Sequence, residues 1–244
     1  MFRSTQKQKR LLRKYWPGYL EPFEESVYSQ NGEDGIIAEL LHRTGTESRF
    51  GVEFGVEDGV ECNSRLLKES GWQILQMDGR DDNSPEIKKE FVTAENINRL
   101  FKKYSVPNDL DFLCIDIDSN DYWIWKSLSN SYRPRLVVTE YNASIPPWQA
   151  KTIKYDPKHY WDTTNYFGGS LLAMYHIAKS KGYSLVYCES RGVNAFFIRD
   201  DLLKKGLEAK DPNRAYRGPS YGQKNTAGDW IGHKQSGKAM IDTD

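Results

Sequence analysis

Cysteine is scarce. The 244 residues hold three, and Cys62, Cys114 and Cys188 stand far apart with no Cys-x-x-Cys pair among them. That spacing excludes a zinc ribbon and a disulfide framework, and it fits a reducing compartment. No apolar run approaches the roughly 20 residues that span a bilayer, and the N-terminus has no apolar secretory stretch, so a cytoplasmic protein is expected. An excess of charge of one sign is missing too, since 34 Lys and Arg balance 34 Asp and Glu. No global field draws such a chain to nucleic acid or to an anionic membrane, and electrostatic recognition must be local.

What is present suits one large domain: 38% of the residues are hydrophobic and 13% aromatic, enough for a substantial core. A basic arm is expected over residues 1–27. Its first fourteen residues carry Arg3, Lys7, Lys9, Arg10, Arg13 and Lys14 with no acid, followed by Tyr15-Trp16-Pro17-Gly18. Such an arm reads either as a solvated helix or as a surface for a membrane or polymer. The main domain is expected over residues 28–205, and a polar tail over residues 206–244.

Within the main domain, Ile36, Ile37, Leu40 and Leu41 mark one apolar face of a capped helix closed by Gly45. Strands are then expected at residues 49–54, 73–77, 91–93, 112–117 and 136–141, with helices at 64–70, 97–103 and 123–128. Such alternation predicts a parallel sheet covered by helices on both faces. A helix at 170–181 leads into strands at 184–188 and 195–198, and the turn between these two is too short for a crossover. They must pair as an antiparallel hairpin. The expected fold class is therefore α/β, Rossmann-like, with a seven-stranded, mostly parallel sheet that ends in a C-terminal hairpin. Residues 144–169, rich in aromatics and proline, fall outside the alternation and read as a substrate lid.

The first strand runs into Val52-Glu53-Phe54-Gly55-Val56-Glu57-Asp58-Gly59, where glycines allow backbone to approach a ligand at the carboxyl end of the sheet. Asp78, 25 residues after Glu53 and followed by Gly79, can accept both hydroxyls of a ribose. Glu95 and Asn96 are candidates to flank an adenine edge.

The string Tyr28-Ser-Gln-Asn-Gly-Glu-Asp-Gly35, the Glu53 to Gly59 loop, Asp116-Ile-Asp118-Ser-Asn-Asp121-Tyr-Trp and Gly192-Val-Asn-Ala-Phe-Phe197 together resemble the FkbM-type sugar O-methyltransferases of class I. The resemblance spans roughly residues 28–201. It implies S-adenosylmethionine as cofactor, held at Glu53, Gly55, Gly59 and Asp78, and methylation of a sugar or glycan hydroxyl. Glu57 departs from the pattern by standing where many class I enzymes have a second glycine, and its carboxylate is a candidate partner for the methionyl amine or sulfonium.

Hydroxyl acceptors barely ionise at neutral pH, so a base or a metal ion is required. Asp116 and Asp118 alternate onto one side after the fourth strand, while Glu140 and Asn142 follow the fifth. Oxygen ligands of this kind suit Mg²⁺ or Mn²⁺. By position Asp118, Glu140 and Asn142 are similar to the magnesium ligands of the catechol O-methyltransferases. The competing reading takes Asp116 or Asp118 as a metal-free base, with Asp121 capping the next helix. His159 is a second candidate base. Trp148, Tyr155, Tyr160, Trp161, Tyr166 and Phe167 offer flat surfaces for a sugar. Two other readings stay open: an NAD-linked sugar oxidoreductase, and a non-catalytic glycan- or partner-binding module on the same scaffold.

Overall fold

The structure is a computed structural model and describes residues 5–16, 18–81, 84–203 and 206–243. Arg3 of the basic arm and Pro17 of the turn after it lie outside the described residues. In chain order the elements are α1 (Gln6–Tyr15), α2 (Glu33–Thr44), β1 (Phe50–Phe54), α3 (Arg65–Glu69), β2 (Gln73–Asp78), β3 (Lys88–Lys89), α4 (Ile97–Lys103), β4 (Phe112–Ile115) and α5 (Asp121–Ser127). They continue with β5 (Leu136–Glu140), β6 (Lys151–Thr152), α6 (Leu171–Ser180), β7 (Tyr183–Cys188), β8 (Asn194–Arg199), α7 (Pro212–Ala215), β9 (Gln223–Lys224), β10 (Trp230–Gly232) and β11 (Ile241–Asp242).

Seven strands form the central sheet in the order β3-β2-β1-β4-β5-β8-β7. All run parallel except β8, which is antiparallel to both β5 and β7. The expected hairpin is therefore present at the sheet's end. Between β1 and β4 the direction of strand succession reverses, and ligands of open α/β sheets bind at the crevice such a reversal creates.

Strand alternation sorts the core onto two faces. Val52, Leu113, Ile115, Val137, Leu185 and Phe197 pack under α4, α5 and α6. Phe112, Cys114, Leu136, Val138, Phe196 and Ile198 pack under Ile36, Ile37, Leu40 and Leu41 of α2. The turn before α2 is wound around Asp34, whose Oδ2 accepts from the amides of Val27, Tyr28 and Ser29, while the Ser29 hydroxyl accepts from the Asp34 amide. The basic helix α1 has a capping box between Thr5 and Gln8 and buries none of its residues. It is tied down through Arg13 to Glu39 and Lys9 to Glu25.

Two expectations are corrected. The third strand lies at Lys88–Lys89 rather than at residues 91–93, because the sheet's edge takes the polar pair while Phe91 and Val92 leave it to line a cavity. The helix after β4 starts two residues earlier than expected, at Asp121, whose carboxylate accepts from the Ile117 and Ser119 amides and so fixes its first turn. The tail is structured across the lid, with β11 antiparallel to β6, the Asn165 amide donating to the Lys234 carbonyl, and Lys238 paired with Asp162. Among the described residues no helix is long and apolar enough to cross a membrane.

One buried charge joins the bottom of this sheet to α2. Asp111, fully buried before β4, accepts from the amides of Glu47 and Arg49 and lies 3.6 Å from Arg135. Arg135 also pairs with Glu47 at 2.8 Å and donates to the Thr44 and Gly45 carbonyls, so removing the Asp111 carboxylate chiefly strips the Glu47 and Arg49 amides of their acceptor. Asp111→Ala is therefore expected to lower the unfolding free energy by about 1–3 kcal/mol in urea denaturation.

Candidate functional site

A cavity of about 250 Å³ opens at the carboxyl ends of β1, β2 and β4, at the point where strand succession reverses. Of the expected site residues, Gly55, Glu57, Asp78, Gly79, Asp116, Asp118 and His159 line it. Phe91, Val92, Ser119, Asn120, Tyr160 and Trp161 complete much of its wall.

The glycine after β1 is demanded by contact rather than by flexibility. Gly55 has φ 82°, and a Cβ there would stand 1.6 Å from the carbonyl oxygen of Asp116. That approach brings the first loop against the end of β4. Glu57, in the position of the missing second glycine, adopts φ 50°, left-handed backbone that glycine takes more readily. Its amide donates to Asp78 Oδ2 at 2.9 Å, and the Arg80 amide donates to Asp78 Oδ1 at 2.9 Å. Two backbone donors thus aim the Asp78 carboxylate at the cavity mouth. The Glu57 carboxylate itself points to Arg80, 3.5 Å away.

Five expected ligand residues are placed elsewhere. Glu53 is buried and accepts from the amides of Asn63 and Ser64 at 2.9 and 2.8 Å, so its carboxylate holds the start of α3; burial pushes its pKa up against those bonds. Gly59 is a turn residue with φ 76°, its carbonyl accepting from the Cys62 thiol. Asn96 binds its own loop, accepting from the Thr93 amide and donating to the Phe91 carbonyl. Glu95 is exposed and accepts from the Tyr155 hydroxyl. Asn142 is fully buried; its amide nitrogen donates to the carbonyls of Asn165 and Phe167, and its Oδ1 accepts from the Ser144 amide. Every polar atom of the Asn142 side chain is engaged in bracing the lid, so it is withdrawn from the expected metal set.

The acids that do meet are Asp116, Asp118 and Glu140, each with a carboxylate oxygen within 4.8 Å of the others. Burial and then the charges of Asp118 and Asp121 hold Asp116 well above the usual carboxylate range. Burial and then Asp118 and Asp116 do the same to Glu140. Asp118, on left-handed backbone at φ 54°, is pushed up to about 6 by burial and by Glu57. Asp121 rises to about 7 through burial, although the Ile117 and Ser119 amides oppose the shift. Oε2 of Glu140 is buried without a partner. Three crowded carboxylates and an orphaned oxygen are a fit for a hard divalent cation such as Mg²⁺ or Mn²⁺, which supplies the charge that they lack.

His159 reaches the same wall from the lid. The Ser119 hydroxyl donates to the His159 carbonyl at 3.0 Å and so accepts at 2.8 Å from the ring, which puts the proton on Nδ1 and leaves the lone pair on a buried, unpartnered Nε2. Burial and Lys238 lower the His159 pKa and favour this neutral form. Of the lid aromatics, Tyr160 and Trp161 line the cavity, Phe167 is buried, and Trp148 is exposed. The tail contributes His233, 4.7 Å from the Trp161 ring, and Tyr221, whose buried hydroxyl has no partner. Ser119 and Asn120 were legible in the Asp-Ser-Asn-Asp turn; Tyr221 and His233 carried no sequence signal, because only folding brings the tail over the lid.

The raised carboxyl values carry a definite sign. Folded Asp118 and Asp121 hold their protons more tightly than in the unfolded chain, where 3.8 is the ordinary value, so this stabilisation is complete below 3.8 and lost as pH rises through about 6 to 7. Asp118→Asn, tolerated on left-handed backbone, is therefore expected to gain in melting temperature relative to the chelator-treated wild type from about pH 5 to about pH 8, with added Mn²⁺ narrowing the gap. A pH-independent difference between the two would refute this. No protein-family model matches the chain, and a search of curated proteins finds no match either.

Proposed function

We propose that the protein is a class I S-adenosylmethionine-dependent O-methyltransferase that acts on a hydroxyl of a sugar or glycan, aided by a divalent cation. The observation that carries the reading is that one cavity, at the reversal of strand order, joins Asp78 at the end of β2 to the acid cluster beyond β4 and β5. A ribose-type acid and an oxygen-rich cation site so placed serve a nucleoside cofactor and a hydroxyl acceptor side by side. The parallel sheet finished by an antiparallel hairpin, the arrangement of class I methyltransferases, supports the same reading.

When bound, S-adenosylmethionine supplies an electrophilic methyl group on a sulfonium, and a divalent cation supplies charge that makes a hydroxyl more acidic. The chain's own residues do the rest. Asp78 accepts the ribose hydroxyls, held in place by the Glu57 and Arg80 amides, while Phe91 and Val92 offer an apolar wall for the base. Gly55 lets the first loop close onto β4, which sets the distance between the two halves of the site. Asp116, Asp118 and Glu140 would hold the cation. His159, with Nδ1 committed to Ser119, offers Nε2 to take the acceptor's proton. Tyr160 and Trp161 give the sugar a surface to lie on and help to exclude water.

The reading is tested by calorimetric titration of S-adenosylmethionine into the protein. Micromolar binding is expected for the wild type, with Asp78→Ala weakening it by about 1–3 kcal/mol or more, the cost of lost hydrogen bonds to a charged group. No binding by the wild type, with and without Mg²⁺ or Mn²⁺, would overturn the proposal.

A further inference from the structure

Two motifs at the carboxyl edge of the sheet have no part in the site as described: Asn31-Gly-Glu33-Asp before and into α2, and Gly192-Val-Asn194 leading into β8. Register brings them together. Across β4, β5 and β8, Phe112 pairs with Leu136 and Leu136 with Ile198, and Cys114 pairs with Val138 and Val138 with Phe196. All six side chains lie on the α2 face. The next row in the same register is Asp116, Glu140 and Asn194, with Glu140 and Asn194 direct partners across the antiparallel pair. Side chains of such partners stand on one face with Cβ atoms ~5 Å apart. Asn194 therefore continues the row that carries two of the three clustered acids.

The orientation of its amide is set from the other side. Nδ2 of Asn194 donates to Glu33 Oε1 at 3.0 Å, and Glu33 is itself fixed by the Asn31 amide, which donates to Oε2 at 2.8 Å. A carboxylate can only accept, so the NH₂ of Asn194 must face Glu33 and its carbonyl oxygen must face away. That oxygen is buried with no partner on a side chain that is only 2% exposed. Its neighbour in the row, Glu140, has an orphaned Oε2 as well. Leaving a buried acceptor unsatisfied is costly, and two of them side by side next to two further carboxylates call for a shared positive ligand.

We infer that Asn194 gives its side-chain carbonyl to the divalent cation held by Asp116, Asp118 and Glu140, and that Glu33 is the positioning residue that keeps this oxygen turned toward it. The inference rests on the cation site of the proposed function. It assigns the neutral oxygen ligand to β8, in place of the Asn142 expected after β5. Three carboxylates and one amide oxygen are hard donors, suited to Mg²⁺ or Mn²⁺.

The test is Mn²⁺ binding by the full chain, read by calorimetry and by the EPR signal of free Mn²⁺, with folding followed by circular dichroism. Wild type binds; Asn194→Ala is expected to weaken binding ~10-fold or more, and Glu33→Gln to weaken it in the same direction, because a Gln amide can donate to Asn194 and let it turn. Asn194→Leu keeps the volume and removes the oxygen, so it decides the matter if Asn194→Ala does not fold. Wild-type Mn²⁺ affinity in whichever of these two variants folds overturns the role of Asn194, and wild-type affinity in Glu33→Gln overturns that of Glu33. Absence of Mn²⁺ binding by the wild type overturns the cation site with it, while S-adenosylmethionine binding, measured separately, still decides the cofactor.

Discussion

Mutual repulsion among Asp116, Asp118 and Glu140 is the constraint around which the rest of the carboxyl edge is arranged. The parallel register of β4 and β5 leaves their carboxylate oxygens within 4.8 Å of one another in a largely buried place. Like charges so close cannot all remain ionised without a compensating proton or cation. The hydrophobic core beneath them sets their positions, since Cys114 and Val138 one row below are packed under α2 and allow no retreat. Burial and repulsion act together on Asp116 and Glu140, while Asp118 is raised by burial and by the nearby charge of Glu57.

Neighbouring groups separate into those with oxygens left open and those whose oxygens are already taken up by backbone amides. Asp121 is equally buried, yet its oxygens are occupied by the Ile117 and Ser119 amides, so it shapes the turn after β4. Glu53 likewise serves α3 through two amides. By contrast the unpartnered atoms of Glu140, His159, Asn120 and Asn194 gather at the carboxyl edge of the sheet and the lid residues facing it. Polar atoms left unsatisfied in a buried region mark a place built for a ligand more reliably than acidic residues alone.

Residues 144–169 and the tail cover part of this edge. Asn142 braces the lid through the Asn165 and Phe167 carbonyls, and Ser119 ties His159 to the turn after β4. Over the lid, β11 pairs with β6, while His233 meets the Trp161 ring edge to face and the Tyr221 ring at a tilt. The basic helix α1 stands apart from all of this. It is held by ion pairs to Glu25 and Glu39, by Lys9 and Arg13 over the Phe23 ring, and by Leu12 packed against the α2 side of the core.

Much of the frame was legible in the chain. Short apolar runs alternating with helical segments located six of the seven strands of the central sheet, the short turn between β7 and β8 forced a hairpin, and Gly55 and Asp78 both line the cavity. The third strand was missed because Phe91 and Val92 look like a strand and serve as a wall, while the edge itself is the charged pair Lys88–Lys89. Local pattern determines which segments become strands and which face each residue takes, for these follow from backbone geometry and apolar periodicity. Tertiary structure alone decided which polar atoms were already satisfied: Glu53 was removed from the site by the start of α3, Asn142 by the Asn165 and Phe167 carbonyls and Asn96 by its own loop, and Asp116, Glu140 and Asn194 were assembled by register across three strands. Hydrogen-bond satisfaction is a property of where partners end up in space, and no spacing along the chain reports it.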